Sequence, residues 1–118
     1  MAHCPYKNLT DLKDCLAAIR QWPGIVEPKP GIFYLGRAAF LHFHLKDGIR
    51  SADARAGGNW GSIIKIPIGA SAGMKKRFLS EVKRRYKASA VTLLMTILLA
   101  PLIVAFWWFG RRSQVAGQ

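Results

Sequence analysis

Acidic residues are scarce in this sequence: Asp and Glu together number 6 against 18 Lys and Arg in 118 residues, a formal net charge of +12. Charge of either sign is missing between Lys87 and Arg111, where no Asp, Glu, Lys, Arg or His occurs. Cysteine is limited to Cys4 and Cys15, which share no metal-type spacing, so no disulfide is expected; Cys15 is expected in the core on the first helix, with Cys4 and His3 a lesser alternative as an adventitious metal or reactive site at the terminus. No Ser-His-Asp order and no phosphate-binding glycine loop names a reaction class. The opening MAHCPYKNLTDLK holds no apolar run, so no secretory signal peptide is expected there. Apolar surface, by contrast, is plentiful. A hydrophobic fraction of 51% excludes a disordered basic tail and allows one small domain.

The uncharged stretch, residues 88–110, reads ASAVTLLMTILLAPLIVAFWWFG. A helix rising about 1.5 Å per residue crosses the hydrocarbon core in about 20 residues, so this segment is expected to be a single transmembrane helix. Lys75, Lys76, Arg77, Lys83, Arg84, Arg85 and Lys87 precede it and only Arg111 and Arg112 follow. That asymmetry predicts an inner-membrane, single-pass protein with residues 1–74 in the cytoplasm and the short tail 111–118 on the opposite side. Trp107 and Trp108 at the far end, and Tyr86 at the near end, are the expected interface residues. The same seven bases are the expected contacts for anionic lipid headgroups. The absence of ionisable residues excludes a proton relay or ion path within this helix.

Ahead of the span, Met74, Phe78, Val82 and Tyr86 recur every four residues with Leu79 beside them, and bases occupy most other positions. This pattern predicts a basic amphipathic juxtamembrane helix over 75–87, capped by Ser71 and running on into the span, with its apolar stripe closing the domain core. Near the other end, Leu12, Cys15, Leu16, Ile19 and Trp22 have helical spacing, with Asn8 or Thr10 as cap and Pro23-Gly24 as stop. Between the helices, 31–37, 38–45, 49–55 and 59–67 read as strands separated by glycine turns. The fold class expected is α+β: an N-terminal helix, an antiparallel meander of three to four strands, and the amphipathic helix, with one sheet face left free.

The most suggestive cluster lies in Phe40-Leu41-His42-Phe43-His44-Leu45. Alternation puts His42 and His44 on one face. A two-residue Asp47-Gly48 turn would pair His42 with Asp53 and His44 with Ser51, gathering two imidazoles and a carboxylate. Such a set suits zinc or non-haem iron, or acid–base chemistry with Asp53 orienting His42. A three-residue turn would send Asp53 to the opposite face. Arg37, Arg50, Arg55, Lys65 and Trp60 offer a rival reading, a basic aromatic face for nucleic acid.

Gly36-Arg37-Ala38-Ala39-Phe40-Leu41-His42-Phe43-His44, with Asp47-Gly48, Ala52-Asp53-Ala54-Arg55, Gly57-Gly58 and Trp60, resembles small uncharacterised bacterial α+β domains that share such a hairpin. The resemblance implies the hairpin and no activity, and the C-terminal membrane segment departs from it. The expectation is therefore a non-enzymatic accessory or scaffolding subunit, anchored by its C-terminal helix and docking on a larger membrane protein complex. The alternatives are a tethered metal-binding or catalytic domain using His42, His44 and Asp53, and nucleic-acid binding at the membrane.

Overall fold

The computed structural model describes residues 3–92. A 3-10 helix (Tyr6–Leu12) leads into α1 (Lys13–Arg20), six strands and a closing helix α2 over residues 72–92. The strands are β1 (Ile25–Lys29), β2 (Ile32–Leu35), β3 (Ala38–Lys46), β4 (Ile49–Ala56), β5 (Asn59–Trp60) and β6 (Ile64–Lys65). All pairings are antiparallel, in the order β1-β2-β3-β4-β5, with β6 also on β4. The fold is α+β, as expected. No helix among the described residues is long and apolar enough to cross a membrane. From residue 93 the expected span lies outside the described residues, as do Trp107, Trp108 and the tail.

The sheet is larger than the meander expected. β1 carries Pro28, a residue that demotes a strand in sequence reading; here it lies at an edge, where the β1–β2 register slips between Val26 and Lys29. The stretch 59–67 breaks into β5 and β6, which hold different parts of β4. At the first helix, neither Asn8 nor Thr10 caps α1. Its N-cap is Leu12, without a side-chain bond, because the preceding turns wind as 3-10 helix. At α2 the expected cap forms, with the Met74 N–H donating to Ser71 Oγ at 3.2 Å.

Both helices cover one face of the sheet. Leu9, Leu12, Leu16 and Ile19 meet Phe78 and Val82 over Phe33, Leu41, Phe43, Ala52 and Ala54. Across the β3–β4 hairpin, Leu41 faces Ala54 and Phe43 faces Ala52. Large side chains on one strand and small ones on the other leave room for the helices to sit close. A β-bulge between Ala39 and Leu41 turns Phe40 to this face as well, where its ring meets Tyr86 of α2 at 6.2 Å.

Polar bonds fix the helices to the sheet. Arg50, wholly buried, forks onto Asp11 through Nη1 and Nη2 at 2.5 and 2.8 Å, and donates further to the carbonyls of Asn8, Ile66 and Pro67. That guanidinium holds the Asp11 carboxyl down at about 2. A depressed carboxylate contributes stability present above its unfolded value and lost as pH falls through the folded one. Unfolding free energy should accordingly fall by on the order of 1–2 kcal/mol between about pH 4 and about pH 2. Glu81, bonded to Arg84 and Arg85, is also lowered to about 2, so the part owed to Asp11 is the difference between the wild type and Asp11→Asn in urea titrations across that window. Equal slopes would count against this role for Asp11.

Candidate metal centre

The free face of the sheet is built by parity. Asp47 and Gly48 both have positive φ, 52° and 75°, the geometry of a two-residue type I′ turn whose twist suits a hairpin. The register that follows pairs His42 with Asp53, His44 with Ser51 and Leu45 with Arg50. Leu41 and Phe43 go to the core; His42, His44 and Asp53 go to the other face.

The three expected ligands do come together. One ligand atom from each of His42, His44 and Asp53 falls within 4.8 Å of the others. Asp53 engages the diagonal imidazole rather than the one directly opposite: Oδ2 lies 2.7 Å from His44 Nε2. The expectation that Asp53 orients His42 is thus replaced by an Asp53–His44 pair. The His42 and His44 rings stand perpendicular with centroids 4.7 Å apart, and Trp60 closes over His42 at 4.8 Å. Burial is substantial, with His44 8% exposed. Desolvation, reinforced by the charge His44 can carry and opposed by Asp53, pushes the His42 imidazole below its ordinary pKa. His42 is therefore poised in the neutral form that a metal requires.

The strongest indication is an unmet hydrogen-bonding demand. Nδ1 of His42 and Nδ1 of His44 are both buried without a partner among the described residues, although buried polar nitrogens are nearly always satisfied. A pair of neighbouring imidazoles with unpaired nitrogens and a carboxylate is a donor set for a divalent transition metal.

Other expected residues are distributed differently. Of the seven bases proposed for lipid, Lys76, Arg77, Lys83, Arg84 and Lys87 are exposed on α2 and Lys75 is half-buried, its Nζ donating to Asp11 O. Arg85 points inward, 4% exposed, donating to Ala54 O, Ser62 Oγ and Glu81 Oε1. Its position one turn on from Val82 puts it on the buried stripe, and Gly61 leaves the space its guanidinium occupies. Tyr86 likewise packs within the domain, its ring 5.0 Å from Trp22 and its hydroxyl donating to Pro23 O at 2.6 Å. The basic face proposed for nucleic acid is reduced too. Arg50 is on the core side, and Arg55 donates to Ala39 O while lying 4.5 Å over Trp60.

An apolar recess of about 220 Å³ lies beside Leu35, Phe40, Gly57 and Ser89. It is smaller than the roughly 300–1,000 Å³ usual for small-molecule sites. No protein-family model, curated protein or solved structure matches the chain.

Proposed function

We propose that this protein is a membrane-anchored accessory domain, held in the inner membrane by residues 88–110 with its folded part on the cytoplasmic side and docking on a larger membrane protein complex. The observation that carries the reading is the division of α2. Phe78, Val82, Arg85 and Ser89 are buried, while Lys76, Arg77, Lys83, Arg84 and Lys87 remain exposed on the helix that leads into the uncharged segment. Bases so placed attract an anionic surface by about 1 kcal/mol each. The uncharged segment would supply the lasting attachment.

Full-length protein is expected in the membrane fraction after an alkaline carbonate wash, whereas a chain ending at Thr92 should wash off. The shortened chain should still bind vesicles containing anionic lipid, and reversing the five exposed bases to Glu should weaken that binding at least about a hundredfold. A full-length chain released by carbonate would refute the anchor. A membrane protein copurifying stoichiometrically in mild detergent, and lost with residues 93–118, would support docking.

A second reading concerns the free face and is compatible with the first: the domain binds a divalent transition metal, zinc or iron(II), through His42, His44 and Asp53. The two unpartnered Nδ1 atoms favour it. Metal content of the purified protein, with and without the two histidines, tests it.

A further inference from the structure

We infer that His3 supplies a third imidazole to this site, so that His3, His42, His44 and Asp53 hold one divalent transition metal in a closed four-ligand set. The inference rests on the metal-binding reading of the free face and extends it. It starts from how residues 3 and 4 are held. β2 pairs only with the first part of β3, Ala38–Leu41, and leaves the remainder of that edge open. There His3 forms an antiparallel bridge with His44, and the Cys4 N–H donates to Phe43 O at 3.1 Å. Cys4 packs against the core, so strand alternation sends His3 to the face that carries the other two histidines.

The three rings are neighbours, while among the described residues only His42, His44 and Asp53 already place ligand atoms within 4.8 Å of one another. The His3 centroid lies 6.0 Å from His42 and 6.0 Å from His44, and His42 and His44 are 4.7 Å apart. With metal–nitrogen bonds of about 2.0–2.1 Å, two imidazoles on a tetrahedral ion have centroids about 5 Å apart. The His42–His44 pair already stands at that spacing. His3 lies 24° from parallel to His44, so it needs to turn as well as to close by about 1 Å, and its exposed side chain leaves room for that. Cys4, with its thiol pushed up by burial and packed toward the core, is not the donor.

Three nitrogens and one oxygen suit zinc, and also iron(II), nickel or copper(II). On four-coordinate zinc, four protein ligands leave no position for water, which is the arrangement of a holding site rather than a hydrolytic one. The ion would also tie residues 3 and 4 to the open edge of β3, coupling metal binding to the order of that segment.

Full-length protein without a histidine tag, in mild detergent, should bind one Co²⁺ with the intense visible bands of four-coordinate cobalt. His3→Ala should retain the fold, because His3 is exposed, yet bind Zn²⁺ at least about tenfold more weakly and give weaker cobalt bands as water enters. Unchanged affinity and spectrum in His3→Ala, with metal lost in His42→Ala/His44→Ala, would overturn the role of His3 and leave the two-histidine reading standing. A wild-type chain that binds neither Zn²⁺ nor Co²⁺ would overturn both.

Discussion

Arg50→Met should lower stability by about 3–5 kcal/mol, the cost of stranding one partner of a buried ion pair. Arg50 donates to the Asn8, Ile66 and Pro67 carbonyls and makes two bonds to the Asp11 carboxylate, the largest cause of that group's lowering to about 2. Met fills the volume and offers none of these bonds, so the Ile66 carbonyl loses its guanidinium donor, the Pro67 carbonyl is left with the Ala70 N–H and the Asp11 carboxylate with the Gly69 N–H. In a domain of this size each kcal/mol moves the melting temperature by roughly 4–8 °C, giving a fall of about 12–40 °C. Asp11→Leu combined with Arg50→Met should lose less than the two single changes added together, because the double variant no longer buries an unpaired carboxylate. Thermal and urea unfolding of the four proteins measures this. Strict additivity would show that the two side chains do not act as a pair.

Removing both imidazoles, His42→Ala/His44→Ala, is expected to reduce bound Zn²⁺ from about one per chain to near zero, with affinity at least about a hundredfold weaker. The fold should persist, since neither side chain belongs to the apolar core. The loss also has a thermal signature. Metal at a hundred times its dissociation constant stabilises the wild type by about 2.7 kcal/mol, and the double variant should show no such shift. The direction with pH follows from His42. Its pKa is lowered by burial, so on acidification His42 stays neutral and available to metal to lower pH than an ordinary imidazole does. Metal affinity should fall on acidification, as protons compete for the imidazoles. Equal metal content in wild type and double variant would remove the site from consideration.

The hairpin was legible because two residues fix it. Asp47-Gly48 admits a two-residue turn, the turn sets the register, and the register brings Asp53 beside the histidines. The same parity argument also exposes Arg50: its partner across the hairpin is Leu45, so it shares the core face with Leu41 and Phe43. Composition argues the other way, since a base is ordinarily assigned to solvent, and its carboxylate partner is distant in sequence on the 3-10 helix. Arg85 was hidden for the same reason, although a 3.6-residue repeat through Phe78, Val82 and Ser89 includes it. Repeating every four residues singles out Tyr86 and passes over Arg85. The Phe40 bulge and the Pro28 strand were not legible, because both depend on where a neighbouring strand slips. His3 carried no periodic signal at all; only the open edge of β3 gives it a place.

The attachment of α2 sets a compass bearing for the whole molecule. Arg85, Tyr86 and Ser89 bind Ala54, Pro23 and the Arg55–Gly57 turn respectively. A twist of the helix by one residue's angle, about 100°, would break all three. The helix therefore has one azimuth, with its bases pointing away from the sheet and the histidines lying beyond the sheet on the far side. A surface that attracts Lys76, Arg77 and Lys83 is met by the back of the domain. The imidazoles then look outward, toward whatever arrives from the opposite direction.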